Sequence, residues 1–567
     1  MNDVLDDDKL SPLELELQPL AVSNGMDDSE SPSIEKELRI REAKDWRGRL
    51  EEYFFPPEVP RACQLYRPEN IAIPACYLMV GLLQGLSSPI INTFPLDLAA
   101  SEAQQTTISS IRSLPASFKL LFGFVSDNLT LGGYRRKPYM FLGWAMASIS
   151  LFSLLFLSNI MGVPSRNPGC FASDELIDDG NSTLFLTTEE SDAPPIATNI
   201  PDDAPSIPFL SLALLGFGTG FWMADVMGDS VVAEKAKLEP PETRGSIQST
   251  CYSLRFFGVM VGAPLSTWIY ATMGPFYVIF LLSLLPLSIL PLVWMMGEER
   301  YAEVKPTRDQ CHEIWQTVCS RSVWQPMAFV YIYNFMQMSN GAWREFLMTT
   351  LDFSNCQLNM ILISAYVLLY LGVLAYKYWF ITWSWRRVYI VTTLLNGLFS
   401  ALQVLLIYGI TFGLSPFLFA LGDDAFAEFI AGIQFLPTTI MMVHLCPVGS
   451  EGASYAMFTT VNNSALTLSS AFSTQLLRIW DVSHEALANG RLQGLVNLTY
   501  LTTFLQVSAI VFVGMLPHFK EDLASLKERG SSTIGGTIFL TITFGSIAYA
   551  VGIGVLNIVA PGWMGES

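Results

Sequence analysis

Gly123-Phe-Val-Ser-Asp127-Asn-Leu-Thr-Leu-Gly132-Gly133-Tyr134-Arg135-Arg136-Lys137 joins two apolar runs, about 106–125 and 138–158. Each run is long enough to cross a bilayer. Gly123 has no side chain and allows a neighbouring helix to come close. Asp127 can hold a helix end or the basic loop in one conformation. A stop-transfer cluster would account for the three cations alone. The glycine and acid at fixed spacing add a latch that must break whenever two bodies move. Gly123, Asp127, Arg135, Arg136 and Lys137 are therefore expected to gate.

Working outward, further apolar runs fill about 71–91, 208–228, 247–270, 275–296, 323–342, 359–378, 387–409, 425–446, 453–476 and 496–516, with another at about 533–558. The 567 residues are 51% hydrophobic and only 15% charged, with mean hydropathy +0.38, too apolar for a soluble chain of this length. The net charge of -19 comes largely from acids in the first sixty residues and in the loop 159–207, which lie outside the bilayer. These read as solvated segments, and no basic nucleic-acid face is present. The first residues carry no basic segment followed by an apolar stretch, so insertion is expected to begin with the first spanning helix.

Lys and Arg set the orientation. With a cytoplasmic N-terminus, one set of connections carries Arg135, Arg136, Lys137, Lys235, Lys237, Arg244, Arg300, Lys377, Arg386, Arg387 and Lys520, while the opposite set holds only Arg166, Arg344, Arg478 and Arg491. The acidic loop then faces outside or lumen, where Asn181-Ser-Thr is a glycosylation candidate. Cys170 and Cys356 fall on that side and could pair; no other cysteine spacing suggests a disulfide or metal site.

The chain also repeats. Leu96-Asp97-Leu98 followed by Ser101-x-x-Gln104 recurs as Leu351-Asp352-Phe353 followed by Ser354-x-x-Gln357, and Arg135-Arg136-Lys137 is echoed by Arg386-Arg387. Ser at the N-cap with Gln three residues on is a capping box, suited to a helix entering a membrane. Two devices in one order imply two parallel six-helix halves, the major facilitator arrangement, in which substrate binds near the midplane. The expected fold is an all-α polytopic 6+6 bundle with an extra C-terminal helix. Its organisation is an acidic segment 1–67, a first bundle 68–296, a linker 297–322, a second bundle 323–517 and a tail 518–567.

Charges inside spans are costly and mark function. Asp225 and Asp229, four residues apart, share one face of the fourth span. Their repulsion in a poorly hydrated cavity favours keeping a proton on one of them, which suits proton carriage or a hydrogen-bonding anchor. Structural pairing of Asp225 with Arg255 and an interfacial place for Asp229 are the plainer alternatives. Arg255, Lys119 and Arg112 can face the same interior and grip an anion, since Arg holds carboxylates in a bidentate fork; charge balance with the acids is the other reading. Glu428 and His444, in the tenth span, are candidates for proton coupling, with a structural histidine equally in play. The block Pro447-Val-Gly449-Ser-Glu451-Gly452 unwinds a helix end and exposes backbone groups.

Leu114-Pro-Ala-Ser-Phe-Lys119 running on to Asp127, then Gly133 to Tyr139, resembles the folate–biopterin transporter family within the major facilitators. So does Leu445-Cys-Pro-Val-Gly-Ser-Glu-Gly-Ala-Ser-Tyr455-Ala456. The likeness covers about 67–517; Ala116 stands where the family often has a bulkier residue. The resemblance implies transport of folates or pterins, coupled to protons. A pterin's N–H donors match a carboxylate such as Asp225, and folate carboxylates match Arg255 or Lys119. Another anionic or zwitterionic metabolite, sugar or peptide facilitation, and a non-transporting receptor remain alternatives. An embedded enzyme is disfavoured by the lack of a zinc-protease or nucleophile-elbow motif. No cofactor or metal is expected. The partners are the bilayer, a small-molecule substrate and protons, around a monomer. The plasma membrane is the expected site, with a plastid envelope or vacuole as alternatives.

Overall fold

The computed structural model describes residues 46, 48, 51, 54–57, 59–100, 102–163, 201, 203–240, 245–300, 306–447, 450–519, 522–528 and 530–559. Asn181, Cys170, Ser101, Arg244 and Gly449 lie outside them, as does the side chain of Cys356. The few described residues up to Pro56 form a separate unit; everything below concerns the unit from Pro57 onward.

The described residues are almost wholly helical and form no sheet. The main helices are α1 (Ala72–Leu86), α2 (Glu102–Ser113), α3 (Lys119–Asn128), α4 (Lys137–Leu157), α5 (Ile207–Ala236), α6 (Ser246–Met273), α7 (Pro275–Ser288), α8 (Thr307–Cys319), α9 (Arg321–Met336), α10 (Asn355–Ala375), α11 (Trp385–Ile407), α12 (Pro416–Leu445), α13 (Glu451–Leu476), α14 (Gln493–Ser508) and α15 (Thr533–Val559). Nine stretches among the described residues are long and apolar enough to span a membrane. Large side chains such as Phe156, Phe412 and Val511 stand at least three-quarters exposed, as lipid-facing residues do.

Three of the twelve expected runs fall outside those nine, for identifiable reasons. The run 106–125 is not one helix: Leu114–Phe118 tightens into a 3₁₀ turn around Pro115, separating α2 from α3. The run 323–342 stops early, at Met336. The run 453–476 is a continuous helix, α13, but its Ser, Thr and Asn content lowers its hydropathy. Elsewhere the helices extend beyond the apolar runs, α12 starting at Pro416 rather than 425.

Helices in lipid gain little from hydrophobicity and must pack backbone to backbone. A Cβ on Gly81 of α1 would sit 1.8 Å from the Arg255 carbonyl oxygen of α6, and one on Gly432 of α12 2.3 Å from the Leu369 oxygen of α10. Gly143 and Gly220 interlock α4 with α5 in the same way. One apolar core fills the earlier helices around Trp144 and Phe221; a second, around Phe346 and Leu495, lies in the later ones. A third joins both sets, bringing Tyr77, Ile247 and Tyr252 against Leu436, Tyr455 and Phe458.

The capping box at Ser354 and Gln357 is present: Ser354 N–H donates to Gln357 Oε1 at 2.9 Å, and Gln357 N–H donates back to Ser354 Oγ. The run after Pro517 forms α15, tied at its start to the α8–α9 junction by Ser532 N–H donating to the Cys319 carbonyl at 2.8 Å. Farther along, Tyr331 of α9 and Ser546 share a hydrogen bond at 3.0 Å. α15 also packs on α13 and on α2.

Candidate functional site

Three polar layers stack along α3, α5 and α6, one or two helical turns apart. The first lies at the basic face. Asp127, at the end of α3, is fully buried among donors: Arg135 Nη2 at 2.7 Å, Arg136 Nη2 at 2.5 Å and the Ala453 backbone N–H at 2.7 Å. Arg136 also reaches Glu234 of α5 at 2.9 Å and Ser126. Glu298 accepts the backbone N–H groups of Arg135, Arg136 and Lys137, satisfying the amides where α4 begins. Lys137 turns its ammonium to the Met296 carbonyl.

The Ala453 contact matters because that amide opens α13, where unpaired N–H groups and the helix dipole favour an anion. Asp127 thus joins the early helices to the late ones. Gly123 permits it: a Cβ there would stand 2.5 Å from the Gly452 oxygen. Gly452 in turn faces Arg136 and Asp127 with no room for a side chain. Lys237 adds a second crossing, to Glu451 at 2.8 Å and the Pro447 carbonyl at 3.0 Å, and Lys377 a third, to Thr250 Oγ1 at 2.9 Å. In this conformation the basic face is closed.

The second layer is a buried hydrogen-bond chain. Asp229 Oδ1 accepts Tyr77 O–H at 2.6 Å and Tyr252 O–H at 3.3 Å; Tyr252 meets Tyr455 of α13 at 3.1 Å, and Gln248 Nε2 donates to the Tyr455 oxygen at 3.0 Å.

One turn farther in, Asp225 divides its two oxygens between two cations. Lys119 Nζ lies 2.7 Å from Oδ2 and Arg255 Nη1 2.9 Å from Oδ1. The pairing alternative raised by the sequence is therefore what this state contains. Lys119 also sits 4.4 Å from the Trp222 ring centre, a cation–π contact. Arg112 stands apart. Its Nη2 donates to Ser87 Oγ at 3.2 Å, its guanidinium lies 5.6 Å from the Phe221 ring, and its Nε has no partner. No carboxylate among the described residues pairs with it.

Glu428 is not gathered into this cluster; its electrostatic neighbours are Asp424 on its own helix and Tyr366 of α10. His444 lies in the last turn of α12. The echo of the basic triplet makes other contacts. Arg386 binds the carbonyls of Leu516 and Gly514 and the ring of His518, while Arg387 stacks on Trp383 at 4.6 Å.

Sequence reading missed Tyr77, Tyr252, Tyr455, Gln248, Glu234, Lys237 and Glu298, and also Asp423. That acid is buried on α12, with Oδ2 accepting Gln403 Nε2 at 2.8 Å and Oδ1 unpartnered. Tyr455 lay inside a motif already singled out; the tyrosines of α1 and α6 carry no signal that separates them from packing residues.

The fold is that of the major facilitator transporters, in a multi-pass integral membrane chain. A bacterial homologue of the iron transporter ferroportin, solved in its outward-facing state, superposes with a TM-score of 0.52 at 12% identity, over 79% of this chain and 98% of that one. The chain belongs to the BT1 family, whose model matches residues 81–162 and 196–533. It is similar to the folate-biopterin transporter of Synechocystis sp., 26% identical over 79% of this chain and 82% of that protein. It also resembles folate transporter 1 of Plasmodium falciparum, 21% identical over 74% of each.

Proposed function

We propose that this chain carries a folate, biopterin or related pterin across its membrane by alternating access, coupled to protons. The observation that carries the reading is the buried Lys119–Asp225–Arg255 triad, in a chain whose relatives bear folate and biopterin names. Both cations are occupied by Asp225. A cargo carboxylate can win them only if Asp225 gives them up, and a proton on Asp225 would release them. Proton uptake and anion capture are thereby tied to one carboxyl group. Arg112, which pairs with no carboxylate among the described residues, makes the first contact with the anion, and Asp229 or the freed Asp225 accepts the pterin's amino donors. Glu428 and His444 serve proton movement in the later helices.

Residues 68–296 and 323–517 act as the two rocking bodies, with Asp127, Arg135, Arg136 and Lys137 on one side of the gate and the Pro447–Gly452 block on the other. The transporter works as a monomer, with its N-terminus cytoplasmic and the plasma membrane as its site. Uptake of labelled folate and pterin into cells lacking folate import, at two external pH values, tests the reading. Inhibition by pterins but not sugars supports it. Uptake that is intact and equally pH-dependent in Asp225→Asn overturns the coupling role. A second cargo class, other small anionic or zwitterionic metabolites, is favoured if Arg112 is needed and pterins do not compete.

A further inference from the structure

The tyrosine layer joins helices that the gate must part, and neither the cargo nor the Asp127 latch explains it. Tyr77 is on α1, Asp229 on α5, Gln248 and Tyr252 on α6, and Tyr455 on α13. All five side chains are buried, so every donor needs an acceptor inside the protein. With Asp229 ionised, one polarity satisfies the chain: Gln248 N–H to Tyr455, Tyr455 O–H to Tyr252, Tyr252 O–H to Asp229. Each bond then points toward the negative charge and strengthens the next.

A second observation concerns the far end of this chain. Gln248 Oε1 is buried and has no hydrogen-bond partner. It is the acceptor needed if the order reverses, with protonated Asp229 donating to Tyr252, Tyr252 to Tyr455, and Tyr455 to a rotated Gln248 amide. Only one proton is added, at Asp229; each hydroxyl keeps its own and turns. In that direction all three bonds are neutral: the Tyr252–Asp229 bond loses the charge that roughly doubled its strength, and the bond to Tyr455 loses the polarisation passed along the chain.

We propose that Tyr252 and Tyr455 form an inner latch whose grip on α13 is set by the proton on Asp229, so that protonation loosens the closed basic face. The charged and titratable groups around Asp229 are Lys119 from α3, Asp225 on its own helix, Arg255 and Cys251 from α6, Tyr77 from α1 and Tyr455 from α13. Lys119 and Arg255 are both engaged by Asp225, so the proton on Asp229 depends on whether cargo has drawn them away. Tyr455 is thus a positioning residue: it transmits the charge of Asp229 and touches no cargo.

The inference rests on alternating access but not on the identity of the cargo. The test is thiol labelling from the basic face by an impermeant reagent, read peptide by peptide, across a pH series. Cys251 and Cys446 are buried beside the latch, and exposed Cys311 normalises the chemistry. Tyr455→Phe keeps the ring and removes the crossing bond. Labelling of Cys446 is expected to rise about tenfold and to lose its pH dependence. Tyr77→Phe, which touches Asp229 from within the early helices, is expected to move the pH midpoint without abolishing the response. Should Tyr455→Phe fail to reach the membrane, Tyr252→Phe removes the same bridge. A pH response in both phenylalanine variants equal to the parent's overturns the proposal. Because no cargo is present, a wrong substrate assignment leaves this result unchanged and shows itself only in uptake.

Discussion

Adding one methyl group at Gly123 should open the basic face. A Cβ at that position would lie 2.5 Å from the Gly452 oxygen, 2.8 Å from its carbonyl carbon and 3.0 Å from the Ala456 Cβ, whereas ordinary contact begins near 3.4 Å. The nearest atoms are backbone, so no side chain can rotate away, and α3 and α13 must part by roughly 1 Å. Overpacking of this kind costs about 1–3 kcal/mol. The cost falls only on the conformation in which the two helices touch, so it biases the equilibrium, by about 5- to 150-fold toward the open basic face. Gly143→Ala is the matched control. Its Cβ would clash equally, 2.7 Å from the Gly220 oxygen, but between α4 and α5, which move together. It should lower the melting temperature without shifting the balance of states. The assay is thiol labelling of Cys446 from the basic face alongside thermal unfolding in detergent. If Gly123→Ala labels like the parent while losing as much stability as Gly143→Ala, the α3–α13 approach is not a moving contact and the reasoning fails.

Asp225→Asn leaves Lys119 and Arg255, 5% and 13% exposed, without their counter-charge, and should cost about 3–5 kcal/mol of stability; a melting curve unchanged from the parent would contradict the burial argument. Arg112→Ala should raise the half-saturation concentration for an anionic cargo by about tenfold or more, with labelling at the basic face untouched; equal uptake curves would remove Arg112 from the site. Lys237→Ala removes the Glu451 and Pro447 contacts from a side chain 19% exposed, so it should favour opening by about fivefold or less, at or below the low end of the range for Gly123→Ala. Labelling that exceeds the glycine variant would reverse that ranking.

The membrane class, the approximate spans and most of the buried charges were legible, because desolvation makes an Asp or Arg within an apolar run conspicuous whatever surrounds it. Partnership was not. Lys119 and Asp225 are separated by 106 residues and Asp127 and Ala453 by 326, and helix packing alone decides that they meet. The repeat does not extend to side-chain contacts. Arg386-Arg387 copies the spelling of Arg135-Arg136, yet no Asp stands where Asp127 does, and Arg386 binds the carbonyls of Gly514 and Leu516, beyond α14, instead. Pro115 was visible, but its conversion of one run into two helices depends on a 3₁₀ turn that apolar periodicity does not report. The tyrosine chain was the hardest to see, since a phenol looks like packing until its hydroxyl is located.

The last helix carries its own consequence. In the proposed cycle a rod lying against both jaws of the hinge can be bolted to only one of them, and α15 is bolted on the later side, by Ser532 to Cys319 in the linker and by Ser546 to Tyr331 of α9. If the two halves rock as proposed, its seat against α2 becomes a sliding bearing, and the travel of the hinge is bounded by how far α2 can ride along it. The family match ends at residue 533, where this helix begins. On that reading the stop that sets the stroke lies beyond the matched residues, and shortening α15 should change the stroke without altering a residue that handles cargo.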